Sequence, residues 1–197
     1  MSTDSRLVFD EEKHHYYYDG RRVPGVTSIL ESVGLIEFGG IPIEILDSAA
    51  QRGTAVHKML EFYDKGTLDE STVSDDLVGY LIQWKKFLNE MNVQIFENEK
   101  RLFSSKYFYA GTLDRVAEMN GKETILDIKT GVPWMSHPVQ LSAYDLAYNE
   151  DRRRKMDRMC VYLKPDNFKL KSYKDRNDSD VFLGALNIFN FKRSYTS

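Results

Sequence analysis

The 197-residue chain has one cysteine, five prolines and no apolar run near the roughly 18 residues that a membrane span requires. The single thiol, Cys160, rules out an intrachain disulfide. It also rules out any four-cysteine zinc or iron–sulfur site built by this chain alone. The opening residues carry no basic-then-apolar leader pattern, so the expectation is an intracellular, cytoplasmic and reducing setting with no membrane association. No internal repeat, low-complexity tract or Pro/Gly linker interrupts the chain. At this length the expectation is a single domain over residues 1–197, with an N-terminal part (about 1–92) packing on a core (about 93–197). The chain is 42% apolar and 29% charged, an ordinary globular balance.

The net charge of −3 does not advertise a polyanionic partner, but its distribution is uneven. Residues 151–197 hold twelve Lys/Arg against six Asp/Glu, while the rest of the chain is acidic. A basic C-terminal quarter is suited to phosphate contact and equally to a solvated surface.

The pattern of apolar residues and turn signals predicts a mixed α/β fold. A strand and turn are expected around residues 7–9 and 15–18, ending at Asp19-Gly20. Thr27 is expected to cap a short helix that Gly34 stops. A long helix fits residues 43–63, with Arg52-Gly53 leaving room for a bend, and a second fits 76–91. Strands are expected at 93–96, 100–103, 107–118 and 123–129. A helix follows at 139–148, then strands at 159–163 and 168–173, and a final helix at 180–192. This order places a mostly antiparallel sheet at the centre, flanked by helices.

The most informative stretch runs from Gly111 to Gly131. Asn120-Gly121 is the strongest short hairpin signal, because both residues tolerate the positive φ of a type I′ turn. Counting outward from that turn, Met119 faces Lys122 and Asp114 faces Asp127. Opposed like charges repel, and a divalent cation shared between them would remove that cost. Strand alternation puts Lys129 on the face of Asp127, and the Val116–Ile125 pair on that face implies burial around it. Two carboxylates and an amine on one face suit phosphodiester hydrolysis with Mg²⁺ or Mn²⁺. An opposed acidic pair also arises by chance: Glu118 and Glu123 are opposed in the same register, near a solvated turn.

These residues resemble a known family. Asp114 followed by Asp127-Ile128-Lys129 is similar to the core of the PD-(D/E)XK nuclease superfamily. Gly111-Thr112-Leu113-Asp114 resembles the G-T-x-D form of its RecB-like exonuclease branch. Arg52-Gly53-Thr54-Ala55-Val56-His57 resembles the upstream R-G-T-x-x-H helix motif. Gln140-Leu141-Ser142-Ala143-Tyr144 resembles the downstream Q-x-x-x-Y helix motif. Tyr18-Asp19-Gly20 and the stretch from Val23 to Leu30 resemble the N-terminus of phage and mitochondrial genome maintenance exonucleases.

The resemblance implies a restriction-endonuclease-like core and a Mg²⁺- or Mn²⁺-dependent DNA exonuclease acting in replication, recombination or repair. It implies that Asp114, Asp127 and Lys129 are catalytic. His57, Asp114, Asp127 and the Ile128 carbonyl would bind metal. Gln140 and Tyr144, one helical turn apart, would flank the scissile phosphate. Glu99 corresponds to an upstream acidic residue used by some members, with Glu97 competing and surface charge the plainer reading of both. No iron–sulfur cluster is implied. A flap or other structure-specific endonuclease, or a non-catalytic DNA-end-binding recombination protein, are the alternative readings. No helicase domain is visible, so unwinding or strand protection would fall to a helicase or single-strand-binding partner. Arg152, Arg153, Arg154, Lys155 and Arg158 are candidate phosphate contacts. Trp134, just after the catalytic strand, is the best candidate to stack a terminal base, ahead of Tyr107, Phe108 and Tyr109.

Overall fold

The computed structural model describes residues 5–37, 39–151 and 156–196. Arg152, Arg153, Arg154 and Lys155 therefore lie outside the described residues. The N-terminal segment makes a three-stranded antiparallel sheet of β1 (Leu7–Asp10), β2 (His15–Tyr18) and β3 (Arg21–Val23). Asp19 and Gly20, at φ 48° and 73°, form the expected turn, which leads into a third strand that the sequence pattern left unread. Helix α1 (Val26–Ser32) begins earlier than expected: Gly25 is its N-cap, and Thr27 sits inside the helix rather than capping it. Gly34, at φ 75°, follows its end.

Helix α2 (Ile43–Asp64) runs unbroken through Arg52-Gly53, so the bend is not there. One interior glycine costs only about 1 kcal/mol relative to alanine, too little to break a 22-residue helix whose later half is anchored by buried Val56, Met59 and Leu60. Helix α3 (Asp75–Glu90) follows, with Asp75 and Asp76 complementing the dipole at its N-terminal turn. Its apolar stripe of Tyr80, Leu81, Trp84 and Phe87 is buried.

The main sheet is ordered β4 (Val93–Ser104), β5 (Tyr109–Met119), β6 (Lys122–Lys129), β7 (Asp157–Leu163) and β8 (Phe168–Ser172). The two strands expected over residues 93–103 are one strand with a bulge between Ile95 and Glu97. Phe108 turns at φ 56°, so β5 starts at Tyr109 and not at Tyr107. Neighbouring strands are antiparallel except β6 and β7, which are parallel. A parallel pair needs a crossover, and helix α4 (Ser136–Tyr148) lies within it. Helix α5 (Asn177–Thr196) closes the chain.

Two apolar clusters hold the helices to the sheet. One joins Ile29 and Leu30 of α1, Leu141 and Tyr144 of α4, and Phe182 and Leu186 of α5 to Val116 and Ile125. The other joins Val56 and Leu60 of α2 and Trp84 and Phe87 of α3 to Leu126, Ile128 and Val161. Each large side chain fully buried this way contributes about 1.5–3 kcal/mol. The small sheet is tied to β5 by the Ala110 N–H donated to the Pro24 carbonyl at 2.9 Å and by a 2.8 Å bond between the Tyr16 and Thr112 hydroxyls. Among the described residues, no helix is long and apolar enough to cross a membrane.

Candidate active site

The β5–β6 hairpin turns at Asn120 and Gly121, whose φ values of 52° and 76° fit the type I′ expectation. The ladder runs from Met119↔Lys122 to Arg115↔Leu126 and stops. Beyond that point β5 stays paired with β4, while β6 stays paired with β7 as far as Lys129↔Tyr162. The two strands therefore part, and Asp114 and Asp127 stand one step past the last pair, at the mouth of the opening. In place of a ladder bond, Asp114 Oδ2 accepts the Ile128 N–H at 2.7 Å.

On the other side of β5, the pairs Asn98↔Arg115 and Lys100↔Leu113 frame Glu99 opposite Asp114. Glu99, Asp114 and Asp127 thus occupy one level of three neighbouring strands. Glu99 has a φ of 47°, a conformation that costs a non-glycine residue about 1–3 kcal/mol. The buried Arg115 offsets the crowding of negative charge: its Nη1 donates to Glu99 Oε1 at 2.9 Å and to the Asp114 carbonyl at 2.8 Å. Its Nε donates to Asp64 Oδ2 at 2.6 Å, and Trp84 Nε1 donates to Asp64 Oδ1 at 2.8 Å. Burial pushes the Asp64 carboxyl up, with Arg115 pulling against it. Glu97 is instead in an ion pair with Lys100 at 3.0 Å.

His57 reaches the same point from α2. Its Nε2 donates to the Ile128 carbonyl at 2.9 Å, which leaves Nδ1 facing Asp114 Oδ2 at 3.6 Å and Glu99 Oε1 at 3.9 Å. Burial works against a charged ring, but Asp114 and Glu99 outweigh it and raise the His57 pKa to about 9. One donor atom each from His57, Glu99 and Asp114 lie within 4.8 Å of one another. One imidazole nitrogen with two carboxylates is a donor set that fits a divalent cation.

Asp127 is turned to other partners. It is 1% exposed, its Oδ2 lies 2.7 Å from Lys129 Nζ, and it accepts from Cys160 Sγ at 3.6 Å. Burial raises the Asp127 carboxyl pKa, and Lys129 opposes that shift. Burial also disfavours the Lys129 charge, but Asp127 and Asp114 outweigh it and hold the ammonium above its ordinary range. Lys129 Nζ donates to Gln140 Oε1 at 3.1 Å, and Gln140 Nε2 donates to the Tyr144 hydroxyl at 2.9 Å. Tyr144 is 5% exposed, so it meets the crevice through Gln140. A Cβ on Gly111 would lie 2.7 Å from Tyr144 Cε1, which explains why glycine fits there.

Of the four expected metal-binding residues, His57 and Asp114 share one cluster. The Ile128 carbonyl is engaged by His57, and Asp127 faces Lys129. The residue that sequence reasoning undervalued is Glu99. Its place opposite Asp114 depends on the bulge between Ile95 and Glu97, and a bulge leaves no clear mark in apolar periodicity.

The surface candidates divide. Trp134 is 48% exposed on the loop after β6, flanked by Val132 and Met135, which are exposed too. His137 Nδ1 anchors that loop by accepting from the Trp134 N–H at 3.3 Å and from the Tyr162 hydroxyl at 2.8 Å. Burial and then Lys129 lower the His137 pKa to about 4, consistent with a neutral acceptor. Phe108 is exposed and Tyr107 half-buried, whereas Tyr109 is a core residue whose hydroxyl donates to the Ala143 carbonyl. Arg158 is not a surface contact either: it is buried and donates to the Asp175 carbonyl and to Asp178.

Comparison with known proteins agrees with this architecture. A crystal structure of a protein from Eubacterium rectale, described as a candidate exonuclease, is similar over 84% of this chain and 71% of that one, at 9% identity and a TM-score of 0.51. That likeness is one of fold. The crystal structure of SSO0001 aligns over 82% of this chain and 81% of its own, at 18% identity and a TM-score of 0.36. A search of curated proteins returned no match. The model of the PD-(D/E)XK nuclease superfamily matches residues 31–184, a span that takes in α2, the parted hairpin and α4 together. With its acidic row and paired lysine at the point where β5 and β6 separate, the chain belongs to the PD-(D/E)XK nuclease superfamily.

Proposed function

We propose that the protein is a Mg²⁺- or Mn²⁺-dependent deoxyribonuclease that removes nucleotides from DNA ends. The observation that carries this reading is the convergence of His57, Glu99 and Asp114 beside the Asp127–Lys129 pair. A divalent ion held by His57, Glu99 and Asp114, with Asp127 alongside, would polarise a phosphoryl oxygen and acidify a water.

The chain's own groups supply the rest. Water adds to phosphorus, one P–O bond breaks, and the departing sugar oxygen takes a proton. Negative charge grows on the phosphoryl oxygens during that exchange. Lys129, kept protonated by Asp127 and Asp114, neutralises it in a site prepared before substrate arrives. Gln140 and Tyr144 hold the Lys129 ammonium in place. His57 fixes β6 through the Ile128 carbonyl while offering Nδ1 to the metal cluster.

Two observations favour action at ends. Trp134 presents an exposed ring on the loop that follows Lys129, held by His137 and suited to stacking an unpaired terminal base. The Gly111-Thr112-Leu113-Asp114 and Gln140…Tyr144 motifs resemble the exonuclease branch. Work in replication, recombination or repair follows from that resemblance, with unwinding supplied by a helicase and strand protection by a single-strand-binding protein.

Linear and covalently closed circular DNA, incubated with Mg²⁺ or Mn²⁺, test the reading. Short products from the linear form and an intact circle are expected. A nicked or linearised circle would favour a structure-specific endonuclease. Binding without cleavage of either would favour a DNA-end-binding recombination protein.

A further inference from the structure

Away from the crevice, a pocket of about 290 Å³ opens between the small sheet, α1 and α5. His14, His15, Arg22, Ser28 and Arg193 line it, and among the described residues no carboxylate does. In a chain of net charge −3, that is a local excess of positive and hydrogen-bond-donating groups. The groups come from separate parts of the chain. Arg22 is on β3, Arg193 is near the end of α5, and His14 precedes β2 in a turn at φ 51°. Arg22 Nη2 donates to His15 Nε2 at 2.6 Å, which orients the guanidinium fork without neutralising it. The Arg193 guanidinium lies over the Phe189 ring, 5.7 Å from its centroid.

The pocket is linked to the catalytic strand. Gly25, in its wall, bridges Ala110, four residues before Asp114 on β5. At about 3.3 Å per residue, Ala110 and Asp114 are roughly 13 Å apart. A nucleic-acid strand covers that distance in about four nucleotides at a rise of 3.4 Å, and in fewer when stretched. The 2.8 Å bond between Tyr16 and Thr112 fixes the small sheet against the same stretch of β5.

We propose that this pocket holds a backbone phosphate of the DNA strand whose scissile phosphate lies at the Asp114–Asp127 crevice, a reading that rests on the nuclease function above. Two guanidinium groups match the acceptor-only oxygens of a phosphodiester. The described lining offers no acidic group to repel it. The pocket would set where the strand lies while leaving sequence unread.

The test measures binding of a labelled single-stranded 20-mer by fluorescence anisotropy in EDTA over a salt series. Wild type, Arg22→Gln, Arg193→Gln and the remote surface control Lys86→Gln are compared, and each is also assayed for cleavage with Mn²⁺. The two arginine variants are expected to raise Kd about fivefold each. They should also lower the salt slope by about 0.7, the loss of one phosphate contact on a single strand. Lys86→Gln should match wild type. Arginine variants equal to wild type in Kd and slope, with wild-type cleavage intact, would overturn the pocket and leave the nuclease reading standing. A wild-type protein that neither binds nor cleaves the oligonucleotide would overturn both.

Discussion

Asp114 accepts the backbone N–H of Ile128 at 2.7 Å, one step past the last ladder pair of the β5–β6 hairpin. A side chain thus stands where a strand-to-strand bond would otherwise form. The same carboxylate faces His57 and Glu99, so one residue holds the parted strands and anchors the acidic cluster. Asp114→Asn keeps the shape and an acceptor oxygen but loses the charge. Cleavage is expected to fall about a hundredfold or more, with little change in thermal midpoint. A parallel assay of cleavage rate and melting separates this from a variant that merely unfolds.

The hairpin was readable because Asn120-Gly121 fixes a two-residue turn and strand period fixes everything outward from it. Asp114, Asp127 and Lys129 followed from counting. Glu99 did not, because a one-residue bulge on β4 shifts the register, and without it Asn98 would face Asp114. The Arg115–Asp64–Trp84 support behind Glu99 joins three elements far apart in sequence, and nothing local marks it. The parallel β6–β7 pairing is likewise a tertiary outcome. Helix α2 continued through Gly53 because the local cost of one glycine is small beside the helical preference of the residues around it.

Lys129→Met should destabilise the metal-free protein through its partner. It leaves Asp127, 1% exposed, without its cation. The loss is expected to be about 3 kcal/mol near neutral pH. It should shrink as pH falls, because burial already raises the Asp127 pKa and a protonated Asp127 needs no cation. A carboxyl with a raised folded-state pKa gives stability below its unfolded value and loses it as pH rises. Denaturant melts at pH 5 and pH 8 measure the difference, and Asp127→Asn in the Lys129→Met background should recover much of it.

Metal binding should release a proton. His57 has a pKa raised to about 9 in the absence of metal, and Nδ1 must be deprotonated to act as a ligand. Apparent affinity for Mn²⁺ should therefore rise about tenfold per pH unit below pH 9 and level off above it. Titration calorimetry in buffers of different ionisation enthalpy reads the released proton directly. His57→Ala should abolish the pH slope.

Gly111→Ala tests the contact between β5 and α4. The new methyl would lie 2.7 Å from Tyr144 Cε1 and 3.2 Å from Val26 Cγ2. Overpacking of this kind costs about 1–3 kcal/mol. Because Tyr144 holds Gln140 and Gln140 holds Lys129, the rate should drop as well as the melting temperature. Tyr144→Phe separates the two effects: packing is kept, the hydroxyl is lost, and the rate should fall with little change in melting.

The most direct measurement is cleavage of end-labelled DNA by wild type and by Asp127→Asn, with Mg²⁺, with Mn²⁺ and with EDTA. The expected result is metal-dependent shortening by wild type alone. Cleavage by Asp127→Asn at the wild-type rate, or cleavage by wild type in EDTA, would contradict the role given to the acidic row across β4, β5 and β6.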